Sequence, residues 1–314
     1  MKIKIIVCLF FWVIGFCLIA QTNQTKVNLP QVYWVKDISS EGLMKAYQAL
    51  NTVPQGKVAV KLHSGEPGNT HYLKPELIKP FVQAVQGTIV EANTGYGGPR
   101  STTREHYQVI EEHGFLEVAQ VVILDEMEDL ILPVTNGKHL QHNRIGGRFD
   151  EFDSHIVLSH FKGHQSGGYG GALKNMAIGY ASSKGKINIH SAGKNEEKWT
   201  SPEKQEDFLE SMAEAVKSII DHVNTPILYL NVMNNLSVDC DCNGNPASPK
   251  VADIGILSSL DPVALDQACL DLIYQAPNNA DLIERIESRN GQHTIIYAEQ
   301  LGIGSREYQL VEIE

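Results

Sequence analysis

Three things are scarce in this 314-residue chain, and each scarcity closes off a class of function. Basic residues are outnumbered: 26 Lys and Arg stand against 37 Asp and Glu, a formal net charge of -11. A chain this acidic gains little from phosphate backbones, so nucleic acid is not an expected partner. Cysteine is also scarce. Of five, Cys8 and Cys17 fall within the first twenty residues, leaving Cys240, Cys242 and Cys269. An odd trio is not a disulfide framework. Beyond Pro30 no apolar run is long enough to span a bilayer, so no transmembrane span is expected in the mature chain. Internal repeats and low-complexity tracts are missing too. What is present is ordinary globular material, 42% hydrophobic and 20% charged, enough for a packed core.

The first residues differ from the rest. Lys2 and Lys4 precede an uncharged run from Ile5 to Ala20, with Gln21 and Thr22 following. This is the layout of a secretory signal, so residues 1–20 are expected to be a cleaved signal and the protein to be exported, periplasmic or secreted. Lipid attachment at Cys17 is disfavoured, because Phe16 stands where a small residue is wanted. Residues 21–29 read as a flexible tether, and residues 30–314 as a single α/β domain.

From Lys57 onward, extended and helical patterns alternate. Lys57 to Leu62 (KVAVKL), Thr88 to Glu91, Val121 to Asp125, His155 to Ser159, Pro226 to Val232, Ile254 to Leu257 and Tyr308 to Ile313 read as strands. Pro75 to Val85, Ser101 to His113, Glu206 to Val223, Pro262 to Tyr274, Ala280 to Ser288 and His293 to Leu301 read as helices. Such alternation implies a mostly parallel sheet with helices on both faces. The stretch from Asp129 to Arg148 predicts a small inserted hairpin. In open α/β sheets ligands bind beyond the carboxyl ends of the strands. His63, Gly65 and Glu66 follow the first strand, Asn93 and Tyr96 the second, and His160 the fourth.

The densest chemistry lies in SHFKGHQSGGYGGALKNMAIG, Ser159 to Gly179, with His190 beyond it. His160 and His164 are four apart and can converge, and neutral imidazole is a common metal ligand. Gly170 and Gly171 precede a helix starting near Ala172. Free N–H groups there, with Lys174 one turn in and Asn175 beside it, suggest an anion cradle at a helix start. It is no Walker motif, since spacing and the following Ser/Thr are missing. A second cluster, VDCDC, places Cys240 and Cys242 among carboxylates. Their spacing makes a mutual disulfide strained, so the thiols are free, bridged on one side to Cys269, or metal-bound. Thiolates with imidazoles suit zinc or iron, and His160, His164, His190, Cys240 and Cys242 form the candidate ligand set. A third cluster, KLHSGEPGN, offers Lys61, His63, Glu66 and Asn69. A fourth, NTGYGGPR, offers Asn93 and Arg100, the latter able to clamp an anion bidentately. Asp261-Pro262 reads as a helix N-cap and first residue, and Asp266 as a first-turn acid favouring its own helix dipole.

These features point to a metal-dependent enzyme acting on a small anionic molecule, with Lys174 and His164 as candidate catalytic groups and Zn or Fe as cofactor. Two competing readings remain open. One is a non-catalytic binder of a small anion or metal chelate. The other is a metal-free site whose cysteines form a structural disulfide to Cys269. Nothing in the sequence sets the oligomeric state.

Taken in order, SHFKGH…GGYGGALKN, GK…H, CDC…DIGILSSLDPVALDQAC and the terminal GSREY resemble the bacterial and archaeal family known as domain of unknown function 362. The resemblance covers most of the chain from KLHSGEPGN to LGIGSREYQL. Many members carry a ferredoxin-like cysteine run after the counterpart of His190. Here SAGKNEEKWTSPEKQEDF has no cysteine, so no ferredoxin-type cluster is expected. One segment, H-x(n)-G-G-x-K with a later His, is also similar to nickel-dependent lactate racemase. That similarity implies Lys174 as a cofactor anchor, His160 or His164 as acid/base and His190 as a metal ligand, in a racemase-like reaction.

Overall fold

Strands buried along their whole length must be covered on both faces, and that is what runs such as VAVK and SHIVLSH achieve here. The computed structural model describes residues 29–314, so the expected signal and nearly all of the expected tether lie outside the described residues. The elements in chain order are β1 (Gln31–Val35), α1 (Ser40–Ala49), β2 (Val58–Lys61), α2 (Pro75–Ala84), β3 (Gly87–Glu91), α3 (Thr103–Glu112) and β4 (Val121–Ile123). Then come β5 (Leu130–Pro133), β6 (His142–Ile145), β7 (Ser154–His160), β8 (Lys162–His164), β9 (Gly168–Gly170), α4 (Ala172–Tyr180), α5 (Ser183–His190) and α6 (Gln205–His222). The chain ends with β10 (Leu228–Met233), β11 (Gly255–Ser259), α7 (Pro262–Gln275), α8 (Ala280–Ser288), α9 (His293–Gln300) and β12 (Gln309–Ile313).

Eight strands form one sheet in the order β12-β1-β11-β10-β7-β2-β3-β4. β11 runs antiparallel to both neighbours, and the other pairs are parallel. The expected α/β class with a mostly parallel sheet is therefore observed. One face packs a core containing Leu43, Ile78, Phe81 and Ile110 from α1, α2 and α3. The other packs Leu173, Met176, Val216 and Leu265 from α4, α6 and α7. The expected hairpin is β5–β6. A second, β8–β9, follows β7 directly and carries the chain to the start of α4. No helix of the described residues is long and apolar enough to cross a membrane.

The parallel neighbours β10, β7, β2 and β3 end side by side. Lys61 and Glu91 close β2 and β3, and His160 closes β7. α4 lies over this edge because Gly179 lets it: a Cβ there would sit 2.5 Å from Lys61 Cε.

Candidate functional site

The ends of β2, β3 and β7, the β8–β9 hairpin, α4, α5 and the loop after β10 enclose a cavity of about 390 Å³. That is small-molecule size. Its wall is rich in cations: Lys61, Arg100, Lys162, Lys174 and Lys186 all line it, in a protein that is acidic as a whole.

Most of these cations are matched. Glu91 is buried at the end of β3, where Lys61 Nζ lies 3.2 Å and Arg100 Nη1 3.6 Å from its carboxylate. It also accepts the Ser64 N–H at 2.6 Å. Burial alone pushes this carboxyl up, but Lys61, His106, His63 and Arg100 together hold it well below the usual range. Arg100 donates from Nε to Glu66 at 3.0 Å, and Tyr96 donates its hydroxyl to the same oxygen at 2.7 Å. Lys162 donates to Asp241, which also pairs with His160 Nδ1 at 3.0 Å. Burial raises the Asp241 carboxyl, yet Lys162 and His160 pull it far below its ordinary value. Lys186 donates to the carbonyls of Ala181 (2.6 Å) and Ala92 (3.3 Å). Burial lowers its pKa to about 7.

Lys174 is the exception. Among the described residues its ammonium makes no hydrogen bond and no ion pair, although it faces the cavity. Burial first, then Lys61, Arg100 and Lys162, bring its pKa down to about 8, against a partial counter-pull from Asp241. An unpartnered ammonium inside a cavity is costly for folding and available for a ligand.

The histidines divide by their bonds. His160 spends both ring nitrogens, on Asp241 and on the Asn234 carbonyl at 2.6 Å, so its expected role as a metal ligand is corrected to that of a loop anchor. His164 Nδ1 accepts the Gly167 N–H at 2.8 Å, which leaves the proton of the neutral ring on Nε2. His190 donates Nδ1–H to the Lys186 carbonyl at 2.7 Å and packs its ring between Trp199 and Phe208. Burial depresses its pKa to about 3, with only partial compensation from that bond, so the ring is neutral and Nε2 is unprotonated.

Two sequence expectations are overturned. Cys240 and Cys242 are joined to each other by a disulfide, and Cys269 is a buried free thiol. The loop around Asp241 folds the two cysteines together, with their Cα atoms 5.2 Å apart, an ordinary spacing for a bridge. A ring nitrogen of His164 and both sulfurs lie within 4.8 Å of one another, so potential ligand groups do converge. Bridged sulfurs are not thiolates, however, and His160 is committed. The residues as they stand do not make a zinc or iron centre.

The helix-start cradle is also filled from within. Gly171 is the N-cap of α4, and the N–H groups of Ala172 and Leu173 donate to Asp266 at 2.8 and 3.0 Å. Asp266 caps the start of α4 from α7 rather than favouring its own helix. A Cβ at Gly171 would stand 2.4 Å from its Oδ1. Gly171→Ala is therefore expected to lower stability by about 1–3 kcal/mol through overpacking, measured by urea unfolding.

Lys61, His63, Arg100, Gly170, Gly171, Lys174, Asn175, His190, Cys240 and Cys242 do line one cavity. Glu66 stands behind Arg100. Asn69 and Asn93 do not reach the cavity, which corrects their expected role in substrate binding. Asn69 ties its loop to the Asn243 carbonyl at 2.8 Å, and Asn93 bonds Thr103 and His106. Sequence reasoning passed over Glu91, Lys162, Lys186 and Asp241. Only Asp241, set between two cysteines, carried a local signal.

A family model described as "Domain of unknown function (DUF362)" matches residues 58–271. No protein of curated function matches the chain. Among solved structures, lactate racemase apoprotein from Thermoanaerobacterium thermosaccharolyticum is similar at 15% identity and a TM-score of 0.47, over 77% of this chain and 56% of that one. A protein from Thermotoga maritima gives 15% identity and a TM-score of 0.47, over 75% of this chain and 58% of that one. The chain thus spans little more than half the length of either.

Proposed function

The chain belongs to the family described as domain of unknown function 362, and from that premise we propose that its cavity binds a small anionic molecule and acts on it as an enzyme. The observation that carries this reading is Lys174, the cation in the wall left without a protein partner. Of the five basic side chains that face the cavity, Lys61, Arg100 and Lys162 pair with Glu66, Glu91 or Asp241, and Lys186 bonds only carbonyls. A carboxylate or phosphate group would supply the missing charge, with Asn175 and Lys186 beside it. Asn175 itself is held by the Lys61 and Leu158 carbonyls, each at 3.2 Å, so its place in the wall is fixed. Lys174, part neutral near pH 8, can move a proton or attack a carbonyl carbon. His164, expected as a catalytic group, is not among the residues that line the cavity. Export, expected from the first twenty residues, suits a chain with a disulfide.

A thermal-shift screen of small carboxylates and phosphates tests this, followed by product analysis of any hit. Stabilisation with conversion supports an enzyme. Stabilisation without conversion favours the binding-protein reading, and no stabilisation by any anion defeats both. Affinity should also depend on pH. The Lys174 ammonium is present below about 8 and lost above it, so binding of a hit is expected to weaken as pH rises from 7 to 10. Calorimetry across that range should show a steeper decline in wild type than in Lys174→Arg, whose own charge does not titrate there, while Lys186, near 7, titrates in both.

A second reading rests on the same lysine. Racemase-like chemistry with a cofactor held on Lys174 is consistent with its lack of a partner and with the unprotonated Nε2 of neutral His190. Mass spectrometry of the Lys174 peptide from native material tests it: an unmodified lysine throughout contradicts it.

A further inference from the structure

Disulfides usually tie distant segments and stabilise by closing long loops. The Cys240–Cys242 bridge spans a single residue, so loop closure contributes almost nothing to stability. The loop is already held without it. The Asp241 carboxylate pairs with Lys162 and His160, the Asp241 carbonyl accepts the Glu66 N–H at 2.9 Å, and the Cys240 carbonyl accepts the Asn243 N–H at 3.0 Å. Both cysteines nevertheless line the cavity that holds Lys174, with a His164 nitrogen within 4.8 Å of both sulfurs. Cys242 is the more exposed of the two.

We propose that the Cys240–Cys242 pair is redox-active and exchanges with small thiols that carry a carboxylate or phosphate group, drawn into the cavity by its basic wall. This rests on the anion-binding reading above and names a substrate class for the same cavity. A substrate thiolate attacks Cys242 Sγ, forming a mixed disulfide while the Cys240–Cys242 bond breaks and its electron pair passes to Cys240 Sγ. A ring nitrogen of His164 lies within 4.8 Å of that leaving sulfur. A second substrate thiolate attacks the substrate sulfur of the mixed disulfide and releases Cys242 as a thiolate. Two thiols become one disulfide, and the protein disulfide becomes a dithiol. The reverse exchange, with a small anionic disulfide as oxidant, restores the bridge. Reduction leaves the Asp241 anchor intact, so the loop keeps its place in both states. Cys269 takes no part, being buried in the α7 core.

The test compares reduction of the full chain by 2-mercaptosuccinate and by uncharged 2-mercaptoethanol at matched thiolate concentrations. The readout is alkylation of Cys240 and Cys242 under native conditions, followed by mass spectrometry. Mercaptosuccinate is expected to react at least about tenfold faster through electrostatic capture. That advantage should disappear in Lys174→Met and be competed away by succinate. Equal rates for the two thiols, or a bridge that neither thiol reduces in the folded protein, overturn the proposal. Calorimetric titration of succinate into a Cys240→Ser/Cys242→Ser variant separates the two claims. If succinate binds there but thiol charge gives no advantage, redox exchange fails and the anion cavity stands. If succinate binds neither this variant nor wild type and thiol charge gives no advantage, both fail.

Discussion

Lys174→Met is expected to make the protein more stable and to weaken its affinity for small anions. The wild-type ammonium is half-buried near Lys61, Arg100 and Lys162 without a partner, and its pKa falls from the ordinary lysine value to about 8. Below pH 8 the folded state carries that charge at a cost on the order of 2 kcal/mol, which an isosteric thioether avoids. The sign of the pH dependence follows. Between about 8 and the unfolded lysine value near 10.5, the unfolded chain binds more protons than the folded one, so wild-type stability rises with pH. The advantage of Lys174→Met should therefore be full at pH 7 and shrink through that window. Urea midpoints at pH 7, 9 and 10.5 read this directly. The same substitution removes one charge-assisted hydrogen bond to the ligand, so anion affinity should drop about 10- to 100-fold. A structural lysine would show the opposite pattern, losing stability and leaving binding alone.

Glu91→Ala is expected to have the largest destabilising effect. It strips the counter-charge from two buried cations, Lys61 and Arg100, and leaves the Ser64 N–H without its acceptor. Breaking a buried pair in this way costs about 3–5 kcal/mol, a large fraction of the stability of an ordinary domain. Glu91→Gln should cost less, because the amide oxygen can still accept from Ser64. An anion that occupies the cavity should restore part of the loss in either variant, since it resupplies negative charge near the same cations. Urea unfolding with and without phosphate measures both effects. Equal stability of wild type and Glu91→Ala would mean that Lys61 and Arg100 do not depend on this carboxylate.

Much of the fold was legible because it is written in local pattern. Buried runs such as VAVK and SHIVLSH can only be interior strands, and Asp261-Pro262 starts α7 as its side-chain bonds to Val263 and Ala264 require. α5 was not legible. SKGKINIH has no polar face to give it a helical period, and Gly185 through His190 are all buried. The site was legible where residue types concentrate, around Lys174 and Cys240–Cys242. It was not legible where a role comes from a distant partner. Asp266 caps a helix ninety residues upstream in sequence, and Glu91 is one acid at a strand end until Lys61 and Arg100 fold around it. The disulfide was misread for a different reason. Spacing alone suggests strain, but the backbone turn at Asp241, fixed by Lys162 and His160, brings the two cysteines to bridging distance.

Proton counting addresses the central claim most directly. Titration calorimetry of inorganic phosphate and of succinate at pH 8.5, in two buffers of different ionisation enthalpy, gives the number of protons taken up on binding. With Lys174 titrating near 8 in the free protein, a bound anion recharges it, and uptake of a large part of one proton into Lys174 is expected beyond whatever phosphate itself exchanges. Lys174→Met should show none of that uptake and weak or no binding. Anion binding of equal strength in wild type and Lys174→Met, with no difference in protons exchanged, would contradict a cavity built around this lysine.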